Sequence, residues 1–280
     1  MQKKRLIPVV LLRNGVVVQS KGFKRYQVLG NPATIVARLS NWRADELIYL
    51  DITRDGGYDL RRDDTNFENR GGILDILGDV SRQCFMPLTF GGGIRTEADV
   101  EARLSRGADK VALNTQAFDT PDLLARCARR HGAQCLVVSV DVRRVPASDP
   151  SADPAWEVFV DGGRRATGRD PVAWAREAAD RGAGEILLNS IDRDGAANGY
   201  DLDLIRAVSA AVRVPVIALG GVGEWAHLSA GLYAGAAAVA AGNIFHYTEN
   251  SVYHAACHLA SGGHPVRRPA LVSLAREGDL

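Results

Sequence analysis

Short apolar, β-branched runs alternate with amphipathic stretches along most of the chain. Eight runs have the length of a strand: Arg5–Leu11, Leu47–Ile52, Met86–Phe90, Lys110–Leu113, Cys135–Val140, Ile186–Ser190, Pro215–Leu219 and Ala237–Ala241. Between them, apolar residues recur at helical spacing in Ala33–Asn41, Glu97–Arg106, Pro121–His131, Pro171–Asp180, Leu202–Ala211 and Trp225–Ala234. Eight strands, each followed by a helix, predict an α/β protein of the closed (β/α)8 type, a TIM barrel, filling residues 1–280 as one domain. A doubly wound open sheet fits less well, because no Gly-x-Gly-x-x-Gly follows the first strand.

The pattern also repeats. Glu46 through Gly56 aligns without gaps to Glu185 through Gly195, each an apolar run emptying into a polar, Gly-tipped loop. Pro87–Gly93 matches Pro215–Gly221, Gly107-Ala108 matches Gly235-Ala236, and Leu136–Arg143 matches Leu6–Arg13. Four consecutive strands recur as four more, which predicts a duplicated half-barrel with halves at about 1–130 and 131–265. The period is far too long for a solenoid.

Composition narrows the function classes. The formal net charge is +1 with both signs interspersed, so no nucleic-acid or membrane partner is expected. Cys84, Cys127, Cys135 and Cys257 form no CxxC pair, which fits reduced thiols and a soluble, cytoplasmic protein. No stretch approaches the length of a membrane span, and Leu6–Leu12 is too short and too Pro-interrupted for a signal sequence.

Candidate chemistry sits at the strand ends. Gly91-Gly92-Gly93 ends the third strand and Gly220-Gly221 the seventh, each followed one strand later by a small polar end, Asn114-Thr115 and Gly242-Asn243. Glycine lets backbone N–H groups approach an anion, and barrels bind phosphate at the ends of strands seven and eight. Two equivalent cups across one mouth imply a small molecule phosphorylated at both ends. At the other end of the strands, Arg5, Glu46, Lys110 and Glu185 begin apolar runs. Two cations and two anions converging on the barrel base can pair, whereas any one alone would be costly to bury.

The phrases Asp-Glu-Leu-Ile-Tyr-Leu-Asp-Ile, Gly-Gly-Gly-Ile, Arg-Gly-Ala-Asp-Lys-Val with Asn-Thr, and Ser-Ile-Asp-Arg-Asp-Gly with Gly-Tyr-Asp resemble the cyclase subunit of imidazole-glycerol-phosphate synthase, from about Arg5 to Tyr247. The resemblance implies a barrel that takes ammonia from a glutaminase subunit docked on its base and uses it on a bis-phosphorylated ribulosyl aminoimidazole. It places Gly93, Asn114, Thr115, Asp194, Gly195, Gly221, Gly242 and Asn243 at the phosphates, beside Gly92 and Gly220 of the glycine turns, Asp51 facing the ligand, and the four basal charges at an ammonia gate. No motif calls for a cofactor or a metal.

Cyclisation in that family uses two carboxylates, which suits a reaction where one group gives a proton and another takes one. Asp141 is present, but the repeat puts Leu11 in the partner position, and a leucine moves no proton. Gln19 stands where the family carries a loop lysine, and Asn189, a further ligand candidate, where it carries a threonine. Ile7-Pro8-Val9-Val10-Leu11-Leu12 and Cys84-Phe85-Met86-Pro87-Leu88 resemble the cyclase-like paralogues of acetamidino, amidine-forming pathways. That resemblance implies a heterodimer with the glutaminase that passes ammonia to an ATP-dependent amidotransferase. The alternative is a genuine cyclase, a lyase of histidine biosynthesis. Thr53–Gly72 reads as a long loop, either a docking or lid element or a plain insertion. Asp149–Pro154 reads as a hairpin tip, and Arg267 onward as the close of the last helix. His254, Cys257 and His258 share a helix face without a fourth metal ligand, and His246 reads as structural.

Overall fold

The computed structural model describes residues 3–42, 44–54, 58–59, 70–146 and 155–267. Most of Thr53–Gly72, the Asp149–Pro154 tip and the whole tail after Arg267 therefore lie outside the described residues. β1 (Arg5–Arg13) turns at Asn14-Gly15 into β2 (Val16–Lys21), which pairs with β3 (Arg25–Gly30). Then come α1 (Pro32–Asn41), β4 (Leu47–Asp51), α2 (Ile73–Ser81), β5 (Leu88–Gly91), α3 (Glu97–Leu104) and β6 (Lys110–Leu113). Short α4 (Thr115–Asp119) and α5 (Asp122–His131) lead to β7 (Leu136–Val145), which folds back into β8 (Ala155–Val160) and β9 (Arg165–Ala166). The chain continues through α6 (Pro171–Asp180), β10 (Glu185–Ser190), α7 (Leu202–Ala211), β11 (Val216–Leu219), α8 (Trp225–Tyr233), β12 (Ala238–Ala241) and α9 (Ser251–Ser261).

β1, β4, β5, β6, β7, β10, β11 and β12 pair in parallel in that order, and β12 returns to β1. This is the expected closed (β/α)8 barrel, and each of the eight expected strands is one of its staves. Their near-continuous apolar runs follow from burial on both faces. Helix starts carry their own chemistry: Thr96 and Asp99 form a capping box on α3, Asp170 and Asp201 cap α6 and α7, and Pro opens α1 and α6.

Two hydrophobic layers result. Outward-facing strand residues pack with the helices, including Trp174, whereas Ile7, Ile48, Ala112, Val137, Leu187 and Ile217 fill the barrel interior. The register of the two halves is the same: Leu11 pairs with Leu50 between β1 and β4, as Asp141 pairs with Asn189 between β7 and β10. Each half also carries an antiparallel hairpin on its first strand; the strand pattern missed the first, whereas the arms of the second, β7 and β8, flank the expected Asp149–Pro154 tip. The signal for the first was the Asn14-Gly15 pair, whose φ angles of 52° and 78° suit a tight hairpin turn. Among the described residues, no helix is long and apolar enough to cross a membrane.

Candidate active site and basal charge ring

At the barrel base the four strand-start charges meet. Arg5 bridges Glu46 at 2.6 Å and Glu185 at 2.9 Å, and Lys110 bridges Glu46 at 2.7 Å and Glu185 at 3.1 Å. The result is a closed ring of alternating charge, to which Thr89 adds a hydrogen bond onto Glu46 at 3.3 Å. Burial opposes the Arg5 charge, but Glu46 and Glu185 outweigh it and raise its pKa. Every carboxylate has two cationic partners, which is what makes such burial tolerable. Above the ring the interior is hydrocarbon as far as the mouth.

At the opposite end of the strands a cavity of about 510 Å3 opens. Its walls differ around the circumference. Val9 and Leu11 of β1, Leu50 of β4 and Leu219 of β11 make one side apolar. Facing them are Asn114 after β6, Ser139 and Asp141 of β7, and Asn189 of β10. Asp141 is buried, and its carboxylate accepts hydrogen bonds from Asn114 Nδ2 at 3.0 Å and Asn189 Nδ2 at 3.3 Å. Burial pushes its pKa up to about 7, with the charge of Asp194 adding to the rise, while the hydrogen bonds from Asn189, Ser139 and Asn114 pull it down. A carboxyl that exchanges its proton near neutrality can act as acid or base. Leu11 lines the same cavity and does neither. Asn189 is 6% exposed, and its Oδ1 has no hydrogen-bond partner, so an acceptor is left unsatisfied at the polar wall.

The two glycine cups lie on this mouth. Gly92, Gly93, Asn114 and Thr115 line one side, and Gly195, Gly220, Gly221, Gly242 and Asn243 the other. Glycine is required where the backbone crowds: a Cβ at Gly92 would sit 2.3 Å from the Asp51 carbonyl oxygen, and one at Gly221 2.1 Å from that of Gly199. Among the described residues, the N–H groups of Gly92, Gly93, Gly220 and Gly221 donate to no protein acceptor. Such a set of unpaired amides suits an anion. Asp51 is turned aside, its carboxylate accepting from Thr53 N at 2.8 Å and Tyr58 Oη at 2.9 Å, and burial raises its pKa against those bonds.

The hairpins cover the cups. Asp194 accepts from Ser20 Oγ at 2.7 Å and Phe23 N at 3.3 Å, and Asn243 Nδ2 donates to the Ser20 carbonyl at 2.9 Å. From the other hairpin, Asp161 N donates to Thr115 Oγ1 at 3.0 Å. Gln19 points away from a catalytic role: it is buried and receives the Tyr247 hydroxyl.

Residues 5–251 match the family described as histidine biosynthesis protein. The chain belongs to this family. It is 45% identical over 263 residues to the imidazole glycerol phosphate synthase subunit HisF of Mycobacterium tuberculosis (strain ATCC 25177 / H37Ra), covering 94% of each chain. Against that family background, every site residue expected at the mouth lines one cavity, and the four basal charges form one ring. Sequence reasoning missed Arg95 and Arg164 on the cavity rim, and set aside His246, which also lines it. Burial and the nearby Arg38 hold the His246 pKa down at about 4, so this imidazole is neutral at pH 7. His254 and His258 are exposed on α9, away from the cavity.

Proposed function

We propose that this protein is the barrel subunit of a glutamine amidotransferase system, one that admits ammonia at the basal ring and delivers it at the mouth. The closed Arg5–Glu46–Lys110–Glu185 ring carries the reading. It sits at the foot of an apolar column that suits neutral ammonia and resists ammonium, whose charge is costly to desolvate. Arg5 and Lys110 keep side-chain exposures of 22% and 18%, so both reach the basal surface. A glutaminase subunit docks on that surface. Phe85, 88% exposed in the turn leading into β5, offers it an apolar anchor at the same end.

At the mouth the two glycine cups hold a phosphorylated small molecule, with Asp141 as the single proton-transfer group. With Leu11 opposite, the acid/base pair is incomplete, and ammonia leaves for an ATP-dependent amidotransferase that converts an activated amide to an amidine. Two observations favour a second reading, a cyclase acting on a bis-phosphorylated ribulosyl aminoimidazole: the 45% identity to the HisF relative, and an Asp141 pKa of about 7. Both readings require the same partner at the base. A glutaminase subunit co-expressed with the barrel is expected to co-purify with it. Phe85→Asp is expected to abolish that pairing, and Asp141→Asn to leave it intact. Pairing that survives Phe85→Asp, or is lost with Asp141→Asn, contradicts docking at the base.

A further inference from the structure

Arg103 of α3 is 4% exposed, yet among the described residues it forms no ion pair. Its guanidinium donates only to backbone carbonyls, Nη1 to Asp99 O at 2.9 Å and Nη2 to Gly92 O at 2.7 Å, and its Nε has no partner. The neighbouring carboxylates are occupied elsewhere. Asp51 is held by Thr53 and Tyr58, and Asp99 accepts from Arg95 N, Thr96 N and Thr96 Oγ1 in its capping box. A cation buried without a counter-ion costs stability, so its retention calls for a compensating negative charge. Among the described residues, Asp99 and Asp51 lie near enough to favour the charge, but neither pairs with it, so the compensation is partial. Burial lowers the Arg103 pKa and outweighs the opposing charges of Asp99 and Asp51, although an arginine stays protonated.

The first cup lies directly above this charge. A Cβ built on Gly93 would stand 3.8 Å from Arg103 Nη2. The peptide joining Gly92 to Gly93 is planar and trans, so its carbonyl and its N–H point in opposite directions. Arg103 grips the carbonyl from behind, which leaves the Gly93 N–H aimed away from α3, where it finds no protein acceptor. The repeat places Gly231 of α8 at the position equivalent to Arg103. There the space is filled by the Tyr200 ring, 2.8 Å from a Cβ built on Gly231. Among the described residues, the second cup has no buried cation beneath it.

We propose that Arg103 is a positioning residue that makes the cup at the ends of β5 and β6 the stronger of two anion sites, matched to a phosphate monoester dianion. It acts by fixing the Gly92–Gly93 peptide and by setting a full positive charge under it. This rests on the reading of the mouth as an anion site, and the test separates the two. Glycerol phosphate is titrated into the ¹⁵N-labelled protein at pH 8 while the amide resonances of both cups are followed.

The Gly93, Asn114 and Thr115 amides are expected to saturate at about 10-fold lower ligand concentration than Gly221 and Asn243, the order of effect of one nearby charge at partial burial. Arg103→Met should erase that gap, and Arg103→Lys should restore most of it. The urea midpoint of Arg103→Met should not fall below that of the unsubstituted protein, because an unpaired buried charge has been removed. At pH 5, where the monoester carries one charge fewer, the gap should narrow. Equal saturation of both cups, or an unchanged gap in Arg103→Met, overturns the role of Arg103 and leaves the anion reading standing. A fall in stability with no rescue by lysine overturns it as well, marking the residue as structural support. Silence of both cups overturns the anion reading itself.

Discussion

The two halves of this barrel share strand order, register and hairpins, yet on the first two staves of each half the inward faces near the mouth have diverged in one direction. At three equivalent positions the first half carries hydrocarbon where the second carries a polar group: Val9 against Ser139, Leu11 against Asp141, and Leu50 against Asn189. At the base the two carboxylates remain matched, Glu46 against Glu185, because each is held by the same pair of cations, Arg5 and Lys110, both from the first half. Charge pairing constrains the base, where losing one partner strands another. Nothing comparable constrains the mouth, where an inward carboxylate can become leucine and simply extend the apolar column. On the proposed reading, the contrast puts the proton-transfer carboxylate on the second half and hydrocarbon opposite it on β1 and β4 of the first.

The base should break first and hardest. Glu46→Gln leaves Arg5 and Lys110 sharing one carboxylate in a mostly buried site, and a loss of about 3–5 kcal/mol is expected in urea unfolding. Glu185→Gln should lose less, since the Glu185 side chain is 11% exposed against 3% for Glu46. Equal losses would mean that the ring does not distinguish its halves by burial.

Asp141→Asn sharpens the comparison through pH. The folded-state pKa of Asp141 is raised to about 7, so the folded protein holds a proton that the unfolded chain releases at an ordinary carboxylate pKa. Stability from this group is fully present at low pH and is lost as pH rises through about 7. Asp141→Asn removes that dependence. Its stability relative to the unsubstituted protein should rise with pH by at most ~1.4 kcal/mol per unit between those two pKa values, then level off. A difference that does not vary with pH over this window would place Asp141 in a wetter site than its burial indicates.

A smaller effect follows from copying the first half into the second. Asn189→Leu reproduces Leu50 and removes a donor that favours the ionised Asp141 carboxylate. The Asp141 titration, followed by carboxyl ¹³C NMR, should move up by about one pH unit. A downward shift would show that Asn189 contributes burial rather than hydrogen bonding.

The staves of the barrel were legible because strands buried on both faces read as continuous apolar runs, and the repeat supplied their pairing. β3 was not legible: Arg25–Gly30 is mostly exposed and shows no alternation, so only the preceding turn announces it. α2 escaped for a different reason, since Gly71-Gly72 at its entry reads as loop. The mouth was legible from its glycines and the Leu11–Asp141 substitution. Arg103 was not, because a charged residue in the polar sequence of α3 reads as solvated and its burial depends on the Gly92 turn above it. His246 was read as structural because no catalytic triad order includes it, and its place on the cavity depends on elements brought together by the fold.

The central claim is that Asp141 works facing the hydrocarbon of Leu11 rather than a partner carboxylate. It is tested most directly by turnover of the bis-phosphorylated ribulosyl aminoimidazole at saturating ammonium, for the unsubstituted protein and for Leu11→Asp. Restoring the partner carboxylate is expected to raise turnover by about 100-fold or more over a near-silent starting point. Efficient turnover with Leu11 in place, left unchanged by Leu11→Asp, would contradict the account.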